Sequence, residues 1–216
     1  AVGDELKKIN LDYAKLNSLK IHINGCPNAC GQHPLGTVAL SGMSRKVYNR
    51  TVPFYKVYLG GQVAAEQTKL AQEVGVIPAR AVPPLLIDFV QGIQNNTGVD
   101  QQTLMQGLLS KYSFVPTYEE NRMYYVDFGK TTDFSLDGLS QGECGAGVID
   151  MIESDLESAK QTLAREELKE ALLYSARALL VVKGVDPKNE QEVITGFVDK
   201  FIQPGICRPQ FANIQD

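Results

Sequence analysis

The amino-acid sequence predicts an α+β protein: a small mixed or antiparallel sheet with covering helices, followed by an all-α helical domain. Two observations lead to this prediction. Up to about residue 130, short β-rich runs are interspersed with helical patterns, whereas beyond Gly129 only helical periodicity remains. We therefore divide the chain into a mixed domain over residues 1–135, a helical domain over 146–205 and a tail over 206–216.

The elements of the mixed domain follow from hydrophobic spacing. Apolar residues at intervals of three and four predict helices over 1–19, 64–74, 85–93 and 101–112. Alternation and β-branched or aromatic residues predict strands over 18–25, 37–43, 52–59 and 123–128. Gly60 and Gly61 end the third strand in a flexible corner, where the backbone can come close to a bulky ligand.

The helical domain follows a connector over residues 133–147 that is rich in Gly, Ser and Asp. Two apolar stripes with spacings of three and four predict two helices, with a break near Ala164-Arg165. We expect both stripes to be buried: Ile149, Ile152, Leu156, Ala159 and Leu163 in the first, and Leu168, Leu172, Ser175, Leu179 and Val182 in the second.

A third helix starts at Asp186-Pro187 and ends before Pro204-Gly205. Its inward-facing residues are expected to be Val193, Ile194, Phe197, Val198, Phe201 and Ile202. Three amphipathic helices in so short a segment need a further surface to cover them. We expect that surface to come from the mixed domain or from another copy of the chain, by self-association through the helical domain.

Composition limits the classes of function. The chain has 216 residues and a formal net charge of −4, which disfavours nucleic acid as a partner because the chain lacks a broad basic surface. No apolar run approaches the roughly 18 residues of a membrane span, and no secretory leader is apparent, so we expect a cytoplasmic protein with no membrane partner. Four cysteines are too few for a disulfide framework.

Cys26 and Cys30 form a C-x3-C turn after the strand predicted over 18–25. Two close thiolates suit a [4Fe-4S] cluster, which needs four of them. With His22 and His33 they also have the composition of a Cys2His2 zinc site, although all four ligands would crowd one short loop. The third alternative is a pair of free thiols, and the cysteine spacing alone leaves all three open.

The wider pattern is more specific than the cysteines. The run Asn24-Gly25-Cys26-Pro27-Asn28-Ala29-Cys30-Gly31 is followed by Leu35-Gly36-x-Val38-x-Leu40-x-Gly42 and then by Tyr58-Leu59-Gly60-Gly61-Gln62. Over residues 18–130 this pattern resembles the C-terminal part of the sirohaem-containing nitrite and sulfite reductases. The resemblance implies a sulfite reductase haemoprotein-like fold and the six-electron reduction of nitrite to ammonia or of sulfite to sulfide.

In that family a C-x5-C pair and a C-x3-C pair together hold a [4Fe-4S] cluster, and the last cysteine also bridges to the iron of sirohaem. The resemblance therefore implies that Cys26 is a cluster ligand and that Cys30 is the ligand shared by the cluster and sirohaem. It implies that Asn28 lies against the macrocycle, where its side chain can hydrogen-bond a haem carboxylate. The implied partners are nitrite or sulfite and an electron donor such as ferredoxin.

The sequence departs from the family in one respect that matters for activity. The upstream C-x5-C pair and the basic residues that bind the substrate anion and the haem carboxylates are absent. We therefore interpret the chain as the C-terminal piece of a longer reductase. Because two thiolates are only half a cluster ligand set, we expect this chain alone to hold neither cofactor and to lack reductase activity.

Other residues carry weaker expectations. Cys144 and Cys207 are interpreted as ordinary cysteines, with a sulfur-relay thiol as the alternative. His33 is expected to be an exposed loop residue, with proton donation to a bound anion as the alternative. Arg45, Lys46 and Arg50 form a basic loop that is expected to be solvated, with haem carboxylates or an acidic ferredoxin as alternative contacts.

The helical tail resembles the helical domains called HEPN, some of which are RNases with an R-x4-6-H motif. No histidine follows position 33, so that motif is absent. We therefore expect the tail to be an interaction or oligomerisation module. A binding module without catalysis is the main alternative to the reductase interpretation of the whole chain.

Overall fold

The computed structural model describes residues 2–64, 67–95, 98, 100–137 and 146–212. Within it the chain is α+β, with a four-stranded mixed sheet, and it divides into two compact units. Unit 1 consists of Ala1–Met43 and Pro53–Asp133, and unit 2 consists of Ser44–Val52 and Phe134–Asp216. The sequence had placed residues 44–52 in the mixed domain, whereas the structure groups them with the helices.

The sheet has the strand order β1-β2-β3-β4, where β1 is Ile21–Asn24, β2 is Val38–Val47, β3 is Arg50–Leu59 and β4 is Gln72–Pro78. Strands β1 and β2 are parallel, and β3 and β4 are antiparallel with a bulge between Val57 and Tyr58. The link between β2 and β3 is Tyr48-Asn49, and both residues have positive φ angles, as a two-residue hairpin turn requires.

Helices cover the sheet of unit 1. They are α1 (Val2–Leu6), α2 (Val82–Asn95) and α3 (Gln101–Tyr112). The side chain of Asp100 accepts hydrogen bonds from two amides of the first turn of α3 and so caps that helix. One core joins the sheet to α2 and α3; among its fully buried members are Val38, Leu40, Val57, Ile77, Leu85, Leu86, Phe89 and Met105.

The helix expected over residues 1–19 is wrong beyond its first turns, because α1 ends at Leu6. The side chain of Gln94, in α2, accepts from the amide of Asp12 at 2.9 Å and donates to the carbonyl of Asn10 at 3.0 Å. The carboxylate of Asp12 accepts from the amide of Ala14. These side-chain bonds satisfy the backbone without a helix, and a residue about eighty positions away supplies two of them.

The helix expected over residues 64–74 is also wrong, because β4 starts at Gln72. Gly75 permits this arrangement: a Cβ atom there would lie 2.9 Å from a methyl group of Leu109 in α3. The side-chain amide of Gln106 donates to the carbonyl of Val74 at 3.1 Å. Close packing of α3 on the strand therefore overrides the local pattern.

The strand expected over residues 123–128 is instead a short 3-10 helix, Arg122–Tyr125. The guanidinium of Arg80 donates to the carbonyls of Met123 and Val126 and lies over the ring of Phe128. The Arg80 side chain therefore occupies two carbonyl groups that would otherwise be available to bond a neighbouring strand. Tyr125 is buried, as expected for a core aromatic residue, and its hydroxyl donates to a backbone carbonyl.

Unit 2 contains α4 (Ala146–Ala164), α5 (Leu168–Val182) and α6 (Glu190–Phe197), the last of which continues as a π-helical turn over Val198–Ile202. The expected break near Ala164-Arg165 is confirmed, and Glu166 in the connection has a positive φ of 64°. Helices α4 and α5 pack along their lengths as an antiparallel hairpin. Among the described residues, no helix is both long enough and apolar enough to cross a membrane.

The two stripes expected to be buried in α4 and α5 are largely exposed. In α4 the expected Ala159 is buried and Ile152 is half-buried. The other buried residues, Val148, Met151, Asp155 and Thr162, each lie one residue before an expected position. Paired polar groups make this possible, because Asp155 binds the guanidinium of Arg177 and the Thr162 hydroxyl donates to the carbonyl of Ser158. In α5 small residues, among them Ala171, Ala176 and Ala178, take the interior positions.

We call the remaining surface the exposed apolar face. It consists of Ile149, Leu156 and Leu163 in α4 and of Leu168, Leu172, Leu179 and Val182 in α5. Helix α6 agrees with the sequence prediction in part. Val193, Ile194, Phe197 and Phe201 are buried as expected, whereas Val198 and Ile202 are half-buried and the helix begins at Glu190 instead of Asp186-Pro187.

Candidate metal centre

The C-x3-C turn lies between β1 and a short 3-10 helix, His33–Leu35, and we call residues 23–33 the cysteine turn. Two of its residues, Ala29 and Gln32, have left-handed φ angles of 58° and 54°. The amide of Gln32 donates to the carbonyl of Ala29 at 2.7 Å and closes the turn. Left-handed non-glycine residues are sparse in proteins and concentrate at functional sites, so this turn is a candidate site on geometric grounds.

His22 ties the cysteine turn to the sheet. Its Nδ1 lies 3.0 Å from the carbonyl oxygen of Gly31 and 2.9 Å from that of Gln32. Because both partners only accept, we assign the hydrogen to Nδ1. The strand side chain therefore fixes the far arm of the turn.

The structure places the three sequence-predicted site residues on this one turn. Cys26 is a half-buried free thiol and Cys30 an exposed one, and Asn28 is exposed between them. The Sγ of Cys30 lies 3.9 Å from the carbonyl oxygen of Asn28. Two accessible thiols on a single turn are half of the thiolate set that a [4Fe-4S] cluster requires.

The residues of the described ranges do not complete a metal site by themselves. No group of three or more His, Cys, Asp or Glu side chains among them is arranged to hold a metal ion. The Cys2His2 zinc alternative is therefore not supported, since His22 and His33 do not join the two cysteines in such a group. Any metal at the turn needs ligands from elsewhere.

Three buried polar atoms around the turn lack hydrogen-bond partners among the described residues. They are Oδ1 of Asn24, Nδ1 of His33 and Oγ of Ser41. Asn24 and Ser41 are paired neighbours on β1 and β2, and Asn24 lies against Gly31 of the turn. Buried polar groups are nearly always satisfied, by protein, ordered water or a bound ion, so the region around the turn is compatible with a polar bound group.

The glycines show which side of the turn is filled by protein. A Cβ atom at Gly42 would overlap the carbonyl oxygen of Gly25, and one at Gly61 would overlap that of Gly36. The close approach at Gly61 is therefore made by the protein backbone. A Cβ atom at Gly25 would meet nothing within 4 Å, so the protein leaves room on that side of the turn.

His33 is buried, with 5% of its surface exposed, so the expectation of an exposed loop residue is wrong. Its ring lies 5.3 Å from that of Tyr58, centroid to centroid. Burial lowers the pKa of His33, and the charge of His22 lowers it further. The neutral imidazole is therefore the favoured form beside the cysteine turn.

We expect acidification to destabilise unit 1 through His33. Because the folded-state pKa lies below the unfolded value of about 6.5, the unfolded chain takes up the proton first. The free energy of unfolding therefore falls as the pH drops below about 6.5, and the loss stops once the pH is below the folded-state pKa. Urea unfolding at about pH 7.5 and about pH 5.5 measures the difference, and His33→Gln should reduce it.

His22→Gln is the matched control for this experiment. It keeps His33 buried but removes the neighbouring charge. The pH dependence of the unfolding free energy should therefore become weaker without disappearing. A His33→Gln variant with the same pH dependence as the original chain would contradict the assignment.

In the basic loop over residues 45–50, Arg45 is exposed as expected and Arg50 is half-buried, but Lys46 is not solvated. The ammonium of Lys46 is buried in unit 2, where it donates to Asp186 at 2.6 Å and to the carbonyl of Pro187 at 2.8 Å. Thr51 donates to the same carboxylate at 2.7 Å. Lys46 is therefore a structural ion-pair partner and not a solvated charge.

The other cysteines lie away from the turn in sequence. Cys207 is half-buried and packs against the α5–α6 core, and its amide donates to the carbonyl of Phe201. Cys144 lies outside the described residues. The sulfur-relay alternative therefore gains no support from Cys207.

Sequence reasoning missed the supporting residues of the site, namely Asn24, Ser41 and the buried state of His33. A polar residue at an inward-facing position of each of two strands was the available signal. Comparison with known proteins adds no assignment: no family model matches this chain, and no curated protein matches it.

Proposed function

We propose that residues 18–130 are the part of a sirohaem nitrite or sulfite reductase that carries the C-x3-C turn. The observation that carries the proposal is the combination of two accessible thiols on a strained turn with unsatisfied buried polar atoms around it. The resemblance of the surrounding sequence to that family supplies the chemical identity of the bound groups. When bound, cluster and sirohaem supply the six-electron reduction of nitrite or sulfite.

In this proposal each residue of the turn has a defined role. Cys26 and Cys30 are thiolate ligands, and Cys30 is also the ligand shared with sirohaem. Asn28, which is exposed, is proposed to hydrogen-bond a haem carboxylate. His22 holds the far arm of the turn through the carbonyls of Gly31 and Gln32, and the open side at Gly25 leaves room for the bound groups.

The remaining thiolates are proposed to come from a C-x5-C pair in an earlier segment of the same reductase. The anion-binding side chains belong to that segment too, so this chain does not distinguish nitrite from sulfite. We propose that the electron donor is a protein such as ferredoxin and that this chain alone holds no cofactor and is inactive.

Cysteine substitutions in the longer reductase test the proposal. We expect the protein purified without oxygen to contain about five irons per chain, four in the cluster and one in sirohaem, and to show visible absorption from both cofactors. Cys26→Ser should lower the iron content, and Cys30→Ser should remove the sirohaem absorption as well. Iron analysis and visible spectra measure both effects.

Cys207→Ser is the matched control and should retain iron and absorption. Retention of both cofactors in the Cys26→Ser and Cys30→Ser variants would overturn the ligand assignment. A natural protein that lacks an upstream C-x5-C pair would overturn the reductase assignment. Stoichiometric iron in this chain alone would contradict its expected inability to hold the cluster.

A further inference from the structure

The exposed apolar face is larger than isolated surface residues would account for. Its seven aliphatic side chains are between 40% and 61% exposed. Together they present on the order of 600 Å² of apolar surface, at the upper limit of what monomeric proteins leave uncovered. Exposed apolar surfaces of this size are typical of protein–protein interaction sites.

The exposed residues of both helices lie on the same side of the hairpin. In α4, Ile149, Leu156 and Leu163 each follow a buried residue by one position, which is a rotation of about 100° around the helix. In α5, Leu172, Leu179 and Val182 follow buried residues in the same way. Because the helices run antiparallel, equal rotations turn the two stripes toward one common surface.

The spacing on this face is that of a helix bundle. Ile149, Leu156 and Leu163 recur every seven residues in α4. In α5, Leu172 and Leu179 are also seven residues apart, with Leu168 and Val182 flanking them at steps of four and three. Such a repeat is the seam by which helices pack at about 20° to one another. A two-helix hairpin with this seam on one side is half of a four-helix bundle.

We propose that the exposed apolar face binds a second copy of this chain and forms a four-helix bundle with two-fold symmetry. The α4 stripe is nearly symmetric about Leu156, and the α5 stripe is nearly symmetric about Ser175. These two centres lie at almost equal sequence separations from Glu166 in the connection. A single two-fold axis perpendicular to both helices can therefore pass through both centres, so that each stripe meets its own copy in antiparallel orientation.

The flanking charges agree with this register. Exposed Glu153 and exposed Lys160 lie on opposite sides of Leu156 along α4, so the two-fold axis brings Glu153 of one copy toward Lys160 of the other. The sequence thus makes the α4 part of the face complementary to itself in charge.

The area is sufficient for a stable dimer. Flanking polar side chains add to the apolar surface and bring each copy near the roughly 800 Å² per partner of a standard interface. This proposal concerns unit 2 and does not depend on the proposed function of the cysteine turn.

Sedimentation equilibrium tests the assembly directly. We expect the chain to be a dimer with a dissociation constant at or below about 10 µM. The double variant Leu156→Glu/Leu179→Glu should be monomeric with unchanged helix content by circular dichroism. Ile206→Glu, a change of another exposed aliphatic residue in unit 2, is the control and should remain dimeric.

Charge exchange tests the identity of the partner and the register. Glu153→Lys should weaken the dimer at least about tenfold by placing like charges together, and Glu153→Lys combined with Lys160→Glu should restore it. A chain that is monomeric at about 100 µM, or a dimer that survives Leu156→Glu/Leu179→Glu, would overturn the proposal. A Glu153→Lys variant as tight as the original would overturn the antiparallel register.

Discussion

Asp186→Asn is expected to destabilise unit 2 by about 3–5 kcal/mol, because it leaves the buried ammonium of Lys46 without its counter-ion. The side chains of Asp186 and Lys46 are only 1% and 8% exposed. Thr51 and the amide of Leu136 donate to the same carboxylate, so the change also removes their charged acceptor. Urea unfolding followed by far-ultraviolet circular dichroism measures the loss.

The pH dependence of this variant gives a second test. Burial lowers the pKa of Lys46, and the charge of Asp186 opposes that shift. Without Asp186 the pKa of Lys46 falls further below its unfolded value, so the unfolded state binds more protons than the folded state. The difference in unfolding free energy between the original chain and Asp186→Asn should therefore become smaller as the pH rises toward about 10.

Glu190→Gln is the matched control, since it neutralises the carboxylate of an ion pair with Lys169 whose side chains are about half exposed. Its effect should be below about 1 kcal/mol. Equal losses of unfolding free energy in the two variants would show that the buried ion pair contributes no more to stability than the exposed one.

Gly42→Ala is expected to destabilise unit 1 by about 2–3 kcal/mol and to displace the cysteine turn. The added methyl group would overlap the carbonyl oxygen of Gly25, which is backbone and cannot move aside as a side chain would. Thermal unfolding measures the stability, and the rate at which a thiol reagent modifies Cys26 and Cys30 reports the shape of the turn.

Gly25→Ala is the informative partner of this variant. Its Cβ atom meets no protein atom within 4 Å, so stability and thiol reactivity should change little. In the longer reductase, however, the same methyl group would enter the space proposed for the cofactors and should lower their occupancy. A stable Gly42→Ala variant with unchanged thiol reactivity would refute the packing argument.

Local sequence was sufficient where local interactions decide the conformation. The bounds predicted for α3 match the structure because Asp100 caps its first turn through its own side chain. The turn before α5 was also predictable, although no Gly or Pro marks it. The predicted secondary structure was wrong where side chains distant in sequence determine the conformation. Examples are Gln94, which bonds the N-terminal segment, and Arg80, which bonds the 3-10 helix after Asn121.

The apolar stripes of α4 and α5 show a different limit. Periodicity identifies an apolar stripe but does not say whether the stripe faces the interior of the unit or its surface. Asp155 and Thr162 occupy interior positions because Arg177 and the backbone carbonyls satisfy them, and that pairing is visible only after folding. The most apolar stripe was therefore assigned to the interior, whereas the structure leaves it on the surface.

The candidate site divides in the same way. Cys26, Asn28 and Cys30 lie together because they are neighbours in sequence. Asn24 and Ser41 meet only because β1 and β2 pair in parallel register, which no local pattern specifies. The burial of His33 likewise depends on Tyr58 from another strand.

The ion pair of Lys46 with Asp186 also limits the order in which the parts of unit 2 can fold. The two residues are 140 positions apart, and Thr51 is 135 positions from the same carboxylate. During synthesis the β2–β3 hairpin therefore emerges long before its counter-ion exists, and closing so long a loop carries an entropic cost that must be met late. A fragment cut at Phe134 would retain the three helices but leave Asp186 as a buried anion without its cation, so the helical unit is not separable at the boundary that its sequence suggests.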